Sequence, residues 1–171
     1  MTGADAAGSG PRTRVERVSD TELVVTRAFQ APARIVFEAW TTPELLKRWW
    51  APQSFGVAFV SCEADVRPGG AYRFVMSHPA SDQPMAFFGR YLEVVPPSRL
   101  VWTNEEGDEG GQITTVTFQD QDGATLVVMR ERYPSKKALD DAVASDSTSG
   151  FCETFEQLDA FLLTDGEPAG E

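Results

Sequence analysis

From about residue 57 to residue 133 the chain reads as an unbroken succession of strands, and this limits its possible folds more than any other feature. Segments at about 57 to 65, 70 to 78, 84 to 95, 99 to 105, 111 to 120 and 124 to 133 are separated by turn residues. The turns are Gly69-Gly70, Pro96-Pro97, Gly107 through Gly111, and Asp122-Gly123, all of which supply a positive or a fixed φ. With no helical period between them, these strands suit an antiparallel meander.

Helical signals flank the run. Glu22 to Gln30 carries Val24, Val25, Thr26 and Phe29 and reads as a first strand, ended by Ala31-Pro32. Pro32 suits a helix start, and Ile35, Val36, Ala39 and Trp40 then recur at helical spacing as one apolar face. Thr42-Pro43-Glu44 signals a second start, a capping hydroxyl, a proline and an acid at the positive end of the dipole. This short helix carries Leu45, Leu46, Trp49 and Trp50. At the other end, Ser135 caps a segment holding Leu139 and Val143, and Ser147 or Ser149 caps a longer helix. There Phe151, Phe155, Leu158 and Leu162 form a continuous stripe, with Glu153, Glu156 and Gln157 off it.

Alternation assigns strand faces. Tyr72, Phe74, Met76 and His78 share a face that should point inward, opposite Arg73, Val75 and Ser77. In the last strand Val127, Met129, Glu131 and Tyr133 are preferred inside over Leu126, Val128, Arg130 and Arg132.

A length of 171 residues and an apolar content of 42% suit one domain with one substantial core. No run of about 18 apolar residues and no secretory leader is present, so a soluble, cytoplasmic protein without a membrane span is expected. Cys62 and Cys152 stand alone and are expected to be reduced, buried thiols. One histidine and two isolated cysteines lack zinc spacing, so neither a metal nor a cofactor is expected. A formal charge of −11 argues against nucleic acid as a partner. Glu105, Glu106, Asp108, Glu109, Asp120 and Asp122 make residues 104 to 122 acidic, as a solvated hairpin edge or as a patch for a basic partner. Residues 1–18 read as a disordered tail, 19–164 as the domain and 165–171 as a disordered acidic tail.

Five elements in order carry a resemblance. They are Ala31 through Phe37 with Thr42-Pro43-Glu44, the Trp49-Trp50-Ala51-Pro52 turn, the Pro68-Gly69-Gly70 bend, the Pro96-Pro97-Ser98-Arg99-Leu100 turn, and Gly150-Phe151 opening the last helix. From about Thr21 to Leu163 the chain resembles the START-like (SRPBCC) helix-grip superfamily, and within it the bacterial proteins similar to the activator of the heat-shock-protein-90 ATPase. The resemblance implies an α+β helix-grip fold. A curved antiparallel sheet of six or seven strands would wrap around a long C-terminal helix, with two short helices after the first strand and a hydrophobic cavity between sheet and C-terminal helix. Asn104 stands where relatives often carry a second aromatic after Trp102-Thr103, placing a polar group near the sheet end. Phe151 replaces a commoner tryptophan and changes the pocket volume.

Expected cavity residues are Trp40, Trp49, Tyr72, Phe74, Met76, Trp102, Met129, Glu131, Phe151 and Phe155, whose types suit a flat apolar ligand. Each could equally fill a core. His78 and Glu131 are the candidate proton-transfer groups. His78 has no acidic partner given by sequence, and a buried Glu131 calls for a cation such as Arg73, Arg90 or Arg132. No Gly-x-Ser-x-Gly elbow, His-Glu-x-x-His, phosphate-binding Gly-x-x-x-x-Gly-Lys or dinucleotide fingerprint occurs. Three functions remain: a non-enzymatic module binding a small hydrophobic or aromatic molecule; a co-chaperone-like protein stimulating a chaperone ATPase; and a polyketide cyclase- or lyase-like enzyme using Glu131 or His78, with Tyr72 at a developing oxyanion.

Overall fold

The computed structural model describes residues 13–51, 56–79, 81–105, 111–144 and 149–164. The elements are β1 (Arg14–Arg17), β2 (Glu22–Phe29), α1 (Ala33–Thr41), α2 (Pro43–Trp49), β3 (Ala58–Ala64), β4 (Ala71–His78), β5 (Ser81–Val95), β6 (Arg99–Asn104), β7 (Gln112–Gln121), β8 (Ala124–Arg132), α3 (Lys136–Ala144) and α4 (Ser149–Thr164). The strands form one antiparallel sheet in the order β1-β2-β8-β7-β6-β5-β4-β3, so the run from β3 to β8 is the expected meander.

The expected six or seven strands become eight because Arg14–Arg17, read as part of a tail, pairs with Thr26 to Leu23 of β2. Three of its four residues are exposed, so the burial pattern that marks strands in a sequence is missing there. The other calls on residues 1–12 and 165–171, on Pro52, Glu106, Asp108, Glu109 and Ser147, and on the Phe151 side chain lie outside the described residues.

Helices α1 and α2 meet at Thr42-Pro43. The ring of Pro43 disfavours helical backbone at the preceding residue, and Thr42 is extended at φ −106° and ψ 115°, ending α1. The Thr42 side chain makes no capping bond, contrary to expectation; its carbonyl accepts the amides of Leu45 and Leu46 instead. Pro32 likewise occupies the N-cap position, one residue before the helix proper. Ser135 does cap α3, its Oγ accepting the Ala138 amide at 3.1 Å. Val143 of α3 faces solvent, while Leu139 packs on Leu23 and Tyr133 in a satellite cluster.

Both strand phases agree with the alternation. Tyr72, Phe74 and Met76 are buried, as are Val127, Met129, Glu131 and Tyr133. On α4, Phe155, Leu158 and Leu162 are at most 1% exposed, so this face is buried in the core. Gln157 adds a clamp, its Nε2 donating to the carbonyls of Trp49 at 2.8 Å and Ala51 at 2.9 Å. It thereby satisfies acceptors that the end of α2 leaves open.

The long β5 pairs with β4 through its first part and with β6 through its second, with a register shift between Tyr91 and Glu93. Bulged strands bend, so the register shift is a place for the sheet to curve between β4 and β6. Gly89 sits at this place because a β-carbon would collide with the carbonyl and hydroxyl of Thr103. Gly89→Ala is expected to destabilise the fold by about 3 kcal/mol, at the upper end of overpacking changes. At roughly 2–4 °C per kcal/mol for a chain of this size, scanning calorimetry should register a drop in Tm of about 6–12 °C. An unchanged Tm would mean that β5 and β6 separate freely at this point.

Candidate functional site

Trp40 organises the aromatic core. Its ring lies 4.9 Å from Trp49, 5.8 Å from Trp50, 6.1 Å from Trp102, 5.9 Å from Phe118 and 5.9 Å from Phe155, mostly edge to face. Beside this cluster is a cavity of about 60 Å³ lined by Trp40, Leu46, Trp50, Tyr72, Phe74, Phe87, Tyr91, Trp102 and Asn104. Inward positions of β4, β5 and β6 form one side; α1, α2 and Trp50 form the other. Trp50 and Phe87 are half-buried and mark the solvent side.

Four of the residues expected at the cavity, Trp40, Tyr72, Phe74 and Trp102, line this cleft. Trp49 closes the junction of α1 and α2 instead, fully buried, its indole N–H donating to the Ala39 carbonyl at 3.0 Å. Met76, Met129, Glu131 and Phe155 are buried outside the lining. No described side chain of α4 reaches the cleft, which lies against α1 and α2 rather than between the sheet and the C-terminal helix. The described α4 stripe is instead buried in the core.

Leu46, Trp50, Phe87, Tyr91 and Asn104 line the cleft without belonging to the expected set. Phe87 and Tyr91 were within reach, since Phe74 pairs with Phe87 and period-two alternation carries that face to Tyr91. Burial pushes the Tyr91 phenol well above its usual range, with the neighbouring Cys62 a smaller contributor, so this wall is neutral. Cys62 is half-buried rather than buried; desolvation raises its thiol to about 11 against the lowering effect of Lys47, and at neutral pH it is an unreactive thiol. Cys152 is also half-buried and free.

One end of the cleft continues into a polar row. Asn104, Gln112, Thr114 and Glu131 occupy inner-face positions, with Thr114 directly opposite both Trp102 and Glu131. Glu131 Oε1 accepts from Thr114 Oγ1 at 2.8 Å and from Gln112 Nε2 at 2.9 Å. Because the Thr114 hydroxyl donates to the carboxylate, its oxygen accepts from Asn104 Nδ2 at 2.8 Å. Asn104 Oδ1 is thereby turned toward the Tyr72 hydroxyl, 3.3 Å away, although that hydroxyl donates over the shorter 2.7 Å to the Thr103 carbonyl. The two donors to Glu131 Oε1 are neutral. Of the cations expected beside it, Arg73 and Arg132 are exposed and Arg90 pairs with Glu105.

His78 is half-buried near the end of β4, six residues from Tyr72, which at about 3.3 Å per residue is roughly 20 Å along the strand. His78 and Tyr72 therefore do not share a site. Among the described residues no three His, Cys, Asp or Glu side chains come together as metal ligands, and no helix is long and apolar enough to cross a membrane.

An antiparallel sheet holding a C-terminal helix, with two short helices after the first long strand and an aromatic cleft beneath them, defines the START-like helix-grip class. Residues 30–162 match the family described as Activator of Hsp90 ATPase homolog 1-like protein, and the chain belongs to that family. Similar solved structures include a protein from Rhodobacter sphaeroides, 25% identical with a TM-score of 0.81, over 90% of this chain and 99% of that one. A protein from Mycobacterium smegmatis is 26% identical with a TM-score of 0.75, over 90% and 98%. A protein from Chromobacterium violaceum is 32% identical with a TM-score of 0.66, over 82% and 96%. No curated protein matches the chain.

Proposed function

We propose that residues 19–164 form a binding domain for a small hydrophobic or aromatic molecule, held in the cleft between β4 to β6 and the α1–α2 pair. The observation that carries this reading is the lining: eight apolar or aromatic side chains and one amide around space that the core leaves unfilled. Such a composition, apolar with few polar groups, is that of small-molecule sites. The unfilled volume of about 60 Å³ is well below the roughly 300–1,000 Å³ of drug-sized sites, so a ligand takes its place by displacing side chains. Trp50 and Phe87, half-buried at the solvent side, are the ones free to give way.

The enzymatic reading draws less support. Tyr72 directs its proton to a backbone carbonyl, Glu131 lies outside the lining, and His78 is remote from both the cleft and Tyr72. The polar row instead orients Asn104, which favours binding with a preferred ligand orientation.

Native mass spectrometry of freshly purified protein is expected to show a discrete added mass that disappears on denaturation. A panel of small aromatics should then raise Tm; at 100 times Kd the stabilisation is about 2.7 kcal/mol, or roughly 5–10 °C for a chain of this length. A clean apo mass together with no shift across the panel would overturn the reading. Stimulation of a chaperone ATPase in a salt-sensitive manner would then support the interaction-protein alternative.

A further inference from the structure

The indole nitrogen of Trp40 is buried and has no hydrogen-bond partner among the described residues. Its neighbour Trp49 shows the ordinary solution, an indole N–H on a backbone carbonyl. Trp40 has aromatic rings around it instead, and ring faces are weak acceptors. Only 2% of the residue is exposed, so bulk water does not serve the donor. Trp40 is also a wall of the cleft. An uncompensated donor therefore belongs to a residue that a ligand would touch.

The remaining walls narrow the chemistry. No Lys, Arg, His, Asp or Glu lines the cleft, so a charged ligand would lose its hydration without compensation. Tyr72 is engaged with the Thr103 carbonyl and Asn104 with Thr114; Tyr91, Trp50 and Trp102 also carry polar atoms, but among the described lining residues Trp40 alone has a buried side-chain nitrogen or oxygen without a partner. As it stands, the cavity is less than half the roughly 150 Å³ that accommodates benzene, so an aromatic ring enters by displacing Trp50, which packs edge-on against Trp40. Displacing that ring uncovers part of Trp40. A ligand that brings an acceptor gains a bond that the closed cleft lacks.

We infer that the ligand is a neutral aromatic molecule carrying a carbonyl oxygen that accepts the Trp40 indole N–H. The inference rests on the reading of this cleft as a binding site, and the test separates the two. Acetophenone and α-methylstyrene have nearly the same shape, one ending in C=O and the other in C=CH₂. Titrated into protein labelled with ¹⁵N at its four tryptophans, acetophenone is expected to bind about tenfold more tightly. That preference runs against solvation, because the carbonyl gives up more water on leaving solution.

Acetophenone should also move one indole N–H resonance downfield, the one that Trp40→Phe removes. Should Trp40→Phe fail to fold, Trp49→Phe, Trp50→Phe and Trp102→Phe identify the Trp40 signal by elimination. Equal or weaker binding of acetophenone, or binding that leaves the Trp40 indole unmoved, overturns the carbonyl inference and leaves the binding function standing. Failure of both probes to bind, with no shift across the wider panel, overturns the two together.

Discussion

Trp40→Ala is expected to lower the free energy of unfolding by about 4 kcal/mol, the middle of the range for removing a buried tryptophan or phenylalanine. Four aromatic partners on α2, α4, β6 and β7, together with Trp50, meet this ring, so its loss leaves space bordered by elements that cannot all move inward. Urea unfolding followed by fluorescence of the remaining tryptophans measures the change. The void gives a second readout. Indole, matching the missing side chain, should bind the variant and at 100 times Kd restore about 2.7 kcal/mol. A variant that loses under 1 kcal/mol, or that indole does not rescue, would mean that the surrounding rings close the gap.

Asp159→Ala is expected to lower stability by about 3 kcal/mol, the lower end of the range for breaking a buried ion pair. Arg27, on β2, is 7% exposed, and its Nη2 donates to Asp159 Oδ2 of α4 at 3.1 Å. Its other contacts are a bond to Thr13 Oγ1 and the face of Phe29 at 5.7 Å, while its Nε has no partner among the described residues. Removing the carboxylate strands a guanidinium already incompletely satisfied. The lower value is chosen because the Asp159 side chain keeps 20% exposure, enough for water to reach the site. Replacing both partners, Arg27→Met with Asp159→Leu, should cost less than the single change, since no charge then remains buried. A single variant within about 0.5 kcal/mol of the parent in urea unfolding would show that the pair is solvated.

The elements that order the sheet were legible where burial is regular. Alternation marked Tyr72, Phe74 and Met76, and the helical stripe marked Phe155, Leu158 and Leu162, because every second or every third-to-fourth residue loses water. Strand β1 was not legible, since its pairing with β2 leaves little trace in an exposed Arg-Val-Glu-Arg. The partners of Glu131 were recoverable in principle. Asp122 and Gly123 have φ of 58° and 91°, the two-residue turn that sets a hairpin register. Counting outward from it places Thr114 opposite Glu131, whereas chemical complementarity alone suggested an arginine. The position of the cleft was beyond the sequence, because it depends on how α1 and α2 settle against β4 to β6.

The clamp formed by Gln157 bears on how the proposed ligand would enter and leave. Its amide holds the carbonyls of the residues before and after Trp50, so the backbone there is pinned to α4 while the half-buried indole is left to turn. Opening the cleft then asks for rotation about two side-chain bonds, not for a hinge. Exchange of the proposed ligand would then be set by how fast the Trp50 ring leaves its packing on Trp40, Trp49, Phe74 and Trp102, and not by the microseconds to milliseconds of a domain hinge.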